Sequence, residues 1–194
     1  MKFVQWQWTA GFGESELDAK ELHRHCTQVV DEIVLPVPFD VNALVDLFEE
    51  ERDRPISLMP MPGGFRAGSP CGLWVATDDC DYILYGGTRK AHQVHIILHE
   101  LAHMRLGHKS SPADQDELAQ LLMPTLNPAL VRSVLGRTAY TTQEERAAEL
   151  VATMLTVRAG RVIAPVPRAD VDPGMANLVQ HLGAALERNA NRKN

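Results

Sequence analysis

The chain lacks paired cysteines, an excess of positive charge and any long apolar run, and each absence removes a class of protein. Its three cysteines, Cys26, Cys71 and Cys80, form no CxxC pair. Neither a zinc ribbon nor a disulfide framework is expected, and all three read as free thiols. Cys80 stands among Asp78, Asp79 and Asp81, whose charges are expected to raise a thiol pKa and so argue against a cysteine nucleophile. A formal charge of -6 and a pI near 5.7 leave no broad basic surface for phosphates, so direct nucleic-acid binding is not expected. The opening Met1-Lys2-Phe3-Val4-Gln5-Trp6-Gln7-Trp8 has no continuous apolar core of the signal-peptide kind. No later stretch approaches the roughly 20 apolar residues of a membrane span. The expected location is the cytoplasm, with no membrane partner.

What is present is a globular pattern. Hydrophobic residues make up 45% of the 194 positions, enough for one domain with a real core. That domain is read as residues 16–187, with 1–15 unassigned and 188–194 a disordered tail. Leu17, Leu22, Cys26, Val29, Val30 and Ile33 recur at helical spacing, and Pro36 and Pro38 end that helix. Asp40 can cap a second helix through Leu44, Leu47 and Phe48. The charged run Glu49 to Arg54 reads as its solvated end. Ile56–Met59 reads as a strand, and Leu73–Thr77 with Tyr82–Tyr85 as a hairpin. The hairpin's acidic turn lacks the glycine and terminal glutamate of an EF-hand loop. Helices then dominate: one from about Thr88 to Leu106 stopping at Gly107, starts at Ser111-Pro112, Asn127-Pro128 and Asp172-Pro173, and one from Thr142 to Arg158 behind the capping box Thr141-Thr142-Gln143-Glu144. The order predicts an α+β fold, a mainly helical single domain with a small three-stranded antiparallel or mixed sheet.

The chemistry concentrates in His99-Glu100-Leu101-Ala102-His103, an HExxH sequence. Residues four apart on a helix share a face, so both imidazoles can converge on one cation. Glu100 lies about 100° around, beside the ligands, where it can accept a proton from an attacking water. With eight histidines, composition alone produces such a motif in roughly two of a hundred chains, and apolar Ile96, Ile97, Leu98, Leu101 and Ala102 bury it here.

A third protein ligand is needed to leave one open tetrahedral position. The HExxHxxGxxH arrangement fails, because its glycine and third histidine would fall at Leu106 and Lys109. His108 follows Gly107 directly, too soon for its ring to reach the metal, and reads as a helix-end cation or an outer group. Glu144 is occupied by the capping box. Glu145 is therefore expected as the ligand and Glu149, one turn on, as the acceptor for a ligand imidazole N–H. The competing reading of Glu145 and Glu149 is an exposed acidic stripe on an amphipathic helix. His92 and His95 extend the histidine row, His95 as an outer candidate. Tyr140 could donate to an oxyanion, although a tyrosine at a helix entrance usually packs. Zinc suits two imidazoles best, and manganese can also occupy a His2Glu site.

Three marks together resemble the ImmA/IrrE family of metallopeptidases: the strand Asp81-Tyr82-Ile83-Leu84-Tyr85, the run His95 to His103, and Glu145-Arg146-Ala147-Ala148-Glu149-Leu150-Val151-Ala152. With the helices before them they span roughly residues 16–158. The resemblance implies a gluzincin-like fold with an active-site HExxH helix beside the sheet. It also implies a zinc endopeptidase whose third ligand maps to Glu145, and a helix-turn-helix repressor as substrate. Ala102 stands where many members have glycine, and Glu149 where asparagine is usual. Two other functions fit the sequence. One is a non-catalytic, metal-stabilised module that binds a transcriptional regulator; the other is a helical interaction protein without metal. An intact Glu100 favours the enzyme, because a structural site has no need of a base.

Overall fold

The structure, a computed structural model, describes residues 19–60, 72–76, 80–87, 89–108 and 140–160. The N-terminal extension, Cys71, Thr88, the Asp78-Asp79 turn, the three Pro-marked helix starts and the tail lie outside them. The described residues form a mixed α+β arrangement of four helices and a three-stranded mixed sheet. The helices are α1 (Ala19–Glu32), α2 (Val41–Arg52), α3 (Lys90–Leu106) and α4 (Thr142–Ala159); the strands are β1 (Ile56–Pro60), β2 (Gly72–Ala76) and β3 (Asp81–Tyr85). None of these helices is long and apolar enough to cross a membrane.

Strand order is β1-β3-β2, with β1 parallel and β2 antiparallel to β3. Central β3 is buried at all five positions, as its near-continuous apolar sequence requires of a strand covered on both faces. The β2–β3 pair is the expected hairpin, in the register Trp74 opposite Ile83. Helix α3 packs on β2 and β3 and against α4, α1 packs on α4, and α2 packs on β1 and α3. Ten of the seventeen residues of α3 are buried, so it lies between sheet and helices with apolar side chains nearly all round. Ala147, Ala148 and Ala152 are buried on α4, and their small side chains let that helix approach its neighbours closely.

Capping follows the local sequence. Asp40 accepts from the Asn42 N–H at 2.7 Å and starts α2. Arg89 occupies the N-cap of α3 without a side-chain cap bond. Gly107 takes φ 67° as its C-cap and donates to the carbonyls of His103 and Met104, a left-handed conformation glycine adopts without penalty. The capping box at Thr141 and Glu144 forms in both directions.

The charged end of α2 is not simply solvated. Arg52 Nη2 and Arg54 Nε stand 2.8 and 3.2 Å from Oδ2 of the fully buried Asp81. Arg52 also stands over the Trp74 ring at 5.9 Å. Glu49 accepts the Ile56 N–H, and Glu51 pairs with Arg105 of α3. The run fastens α2 to the start of β1, to β3 and to α3. Asp81→Asn should cost about 3 kcal/mol in urea unfolding, the low end for a broken buried pair, because both arginines are a quarter exposed and regain water. A loss within about 0.5 kcal/mol, the scale of an ordinary surface substitution, would return this cluster to the solvated surface.

Cys26 and Cys80 are free thiols, as expected. Burial raises the Cys80 pKa more than the neighbouring charge of Asp81 does, a correction to the cause expected from sequence. Burial also pushes Cys26 up to about 11, and its Sγ lies against the Ala147 carbonyl.

Candidate metal centre

His99 and His103, one turn apart on α3, meet Glu145 in the first turn of α4. Their ligand atoms lie within 4.8 Å of one another, and among the described residues this trio is the group able to hold a metal ion. His99 Nε2 stands 3.0 Å from His103 Nε2. Glu145 Oε2 stands 3.3 Å from His99 Nε2, and its Oε1 3.6 Å from His103 Nε2. Donors at zinc bond lengths of about 2.0–2.1 Å in a tetrahedron stand about 3.3 Å apart; the two imidazole nitrogens stand near that spacing, and Glu145 turns a different oxygen toward each of them. The donor chemistry agrees: two imidazole nitrogens face each other at hydrogen-bond distance beside a carboxylate, and a cation satisfies all three.

Helix geometry explains why these side chains meet. The i, i+4 face of α3 carrying His99 and His103 looks toward α4, and Glu145 and Glu149 are an i, i+4 pair on α4 looking back. Glu149 Oε2 lies 3.3 Å from His99 Nδ1, where it can accept that N–H and leave Nε2 free as a ligand. It also lies 3.1 Å from His95 Nε2 through Oε1, which brings His95 to the site's edge. Both glutamates remain about half exposed, so the exposed acidic stripe of the competing reading and the pair facing the histidines are the same residues. His92 is exposed and lies over Gly87, outside the trio.

Glu144 is turned to the capping box: its Oε2 accepts from Thr141 N and Oγ1 at 2.8 and 3.0 Å. The two neighbouring glutamates therefore separate by experiment. Glu145→Ala should lose metal, whereas Glu144→Ala should keep it and cost about 0.5–2 kcal/mol of stability as a lost cap. Metal analysis beside urea unfolding checks both, and the reverse pattern would move the site by one residue.

His103 has surroundings that sequence spacing did not reveal. The left-handed turn at Gly107 folds the chain back, the His108 N–H donates to the His103 carbonyl at 3.1 Å, and His108 Nδ1 reaches 2.9 Å from His103 Nδ1. Of the two readings of His108, the outer group agrees with this contact and the helix-end cation does not: burial, with His25 and His99 adding to it, outweighs Glu144 and Glu145 and pushes its pKa down to about 4. Gly107 immediately before His108 was the available signal. Nothing in the sequence marked His25 of α1. Tyr140 stacks on the His103 ring at 3.6 Å between centroids and 18° between planes, which is a packing contact.

The surroundings act in opposite directions on the two imidazoles. Burial, then the charges of His99 and His108, depress His103 strongly. Burial also works against the charged form of His99, but Glu145, Glu100 and Glu149 outweigh it and raise its pKa. The carboxylates of Glu145, Glu100 and Glu149 thus gather on the His99 side of the cluster, while His103 is held as a neutral imidazole, the form that can act as a ligand.

Glu100 stands beside this trio and not in it. It is buried, and burial, with Glu145 adding to it against His99 and the Trp74 N–H, raises its pKa to about 7. The Trp74 backbone N–H of β2 donates to its carboxylate. No family model matches the chain, and neither curated proteins nor solved structures give a match.

Proposed function

We propose that this chain is a zinc-dependent endopeptidase that hydrolyses a peptide bond in a regulatory protein, with a helix-turn-helix repressor as the substrate class that the ImmA/IrrE resemblance implies. The observation that carries the reading is the separation of roles. His99, His103 and Glu145 offer three converging donors, while the adjacent buried carboxylate of Glu100 is left out of the donor set. A structural site would use a fourth ligand instead of a base.

His99, His103 and Glu145 would hold the zinc, which when bound would supply Lewis-acid polarisation of the scissile carbonyl and acidification of the attacking water. The protein's own groups do the rest. Glu149 orients the His99 ring through Nδ1, and His108 and Tyr140 hold His103 from its other edge and its face. Glu100 takes the proton of the attacking water and passes it to the leaving amine. Its burial and the Trp74 N–H that donates to it hold that carboxylate in one place beside the trio.

The test is direct. The neighbouring reading frames are first searched for a helix-turn-helix protein; the product of any that is found is incubated with the zinc-loaded chain, and intact-mass spectrometry reports any cut. A single zinc-dependent cleavage that chelator abolishes supports the reading. Binding of the two proteins without cleavage would replace it with the non-catalytic module.

A further inference from the structure

We propose that Gly72 is a positioning residue for Glu100: the missing side chain at the start of β2 is the space in which the Glu100 carboxylate sits. The inference rests on the reading of Glu100 as the base, and it adds a residue to which that reading assigned nothing.

The geometry is specific. A Cβ built on Gly72 would lie 2.6 Å from Glu100 Oε1, 3.3 Å from Glu100 Cδ and 2.5 Å from Ile96 Cγ2. The first and last are far inside van der Waals contact, so any side chain at position 72 must move something. Backbone conformation does not demand glycine here. The described glycines with positive φ are Gly87, Gly107 and Gly160, so what excludes a side chain at Gly72 is space and not strain.

Gly72 and Trp74 are two apart on one strand, and both meet the same carboxylate, Trp74 through its N–H and Gly72 by leaving room. Among the described strands β2 lies at the edge of the sheet, packed on α3. The strand that donates to the base thus also sets how closely the base can approach. Of the two groups a methyl at 72 would strike, Ile96 is β-branched, buried and stiff at χ1. The Glu100 carboxylate ends a longer, more flexible chain. The carboxylate gives way, away from Trp74 and from its place beside the donor trio. The rival explanation is that glycine is there only to let α3 pack, with Ile96 as the contact that matters.

Two measurements separate these. The first needs neither metal nor activity: urea midpoints of the zinc-free protein carrying Gly72→Ala alone, with Glu100→Ala, and with Ile96→Ala. If the methyl competes with the carboxylate, Glu100→Ala empties that space, and the midpoint shift caused by Gly72→Ala should shrink by at least about half. Shrinkage with Ile96→Ala alone overturns the proposal. Should Gly72→Ala not fold by itself, recovery of folding with Glu100→Ala supports the proposal, and recovery with Ile96→Ala alone overturns it.

The second is kinetic, on zinc-loaded protein with a proteome-derived peptide library as probe. Gly72→Ala should keep its zinc and hold KM within about threefold while kcat falls about 100-fold, the scale of a group displaced by an ångström. An unchanged kcat in zinc-replete Gly72→Ala overturns the positioning role. Absence of any hydrolysis by the parent chain counts against the peptidase reading alone, and the urea cycle then decides where the carboxylate sits.

Discussion

His99→Ala and His103→Ala should each abolish stoichiometric metal binding. With one imidazole gone, the remaining histidine and a half-exposed glutamate cannot enforce a site, since Glu145 is anchored only at the start of α4 and must be met by two fixed donors. Loss of an outer partner of a metal ligand typically costs 10–100-fold in affinity, so loss of a ligand itself should exceed about 100-fold. Glu149→Ala, which removes the acceptor 3.3 Å from His99 Nδ1, should fall between the parent and the ligand variants. Elemental analysis after dialysis, with competition against a chromophoric chelator, places all of them on one scale. If His99→Ala holds metal as tightly as the parent, the ion binds elsewhere in the chain.

Much of this was legible because it is local. Helix α2 behind Asp40, the stop at Gly107 and the capping box at Thr141 each depend on a few adjacent residues whose chemistry acts over one turn. The strands were legible from apolar runs bounded by turns, although periodicity did not settle that β1 pairs parallel to β3. The i, i+4 rule put His99 and His103 on one face from spacing alone. It also put Glu145 and Glu149 on one face, and their convergence on the histidines follows from α4 packing against α3.

What was illegible depends on contacts between distant segments. The charge run ending α2 read as solvated because its partners, Asp81 and Arg105, lie far along the chain. Composition cannot show which of many charges will meet. That His108 would meet His103 was illegible for a different reason: on a continuing helix a residue five after His103 points elsewhere, but the left-handed turn at Gly107 reverses the chain and returns the ring to His103. The role of Gly72 is visible only as an occupied space, and an absent side chain leaves no periodicity to detect.

Glu100→Gln should separate catalysis from metal binding more sharply than any other change. The substitution keeps the side chain's length and can still accept the Trp74 N–H through its carbonyl oxygen, but it removes the basic carboxylate. Because Glu100 is not one of the three converging donors, zinc content should match the parent. Burial already opposes charge at this position, so a neutral amide carries no desolvation penalty of the ionic kind and folding should persist. Loss of a general base typically costs 10²–10⁴-fold in rate, which should take cleavage of a true substrate to near background while substrate still binds. Expressed in cells, the variant should then retain uncut partner in pull-downs that the active parent releases as fragments. Undiminished proteolysis by zinc-replete Glu100→Gln would remove Glu100 from the mechanism. An unchanged regulatory phenotype in cells carrying the inactive variant would show instead that the chain acts on its partner by binding.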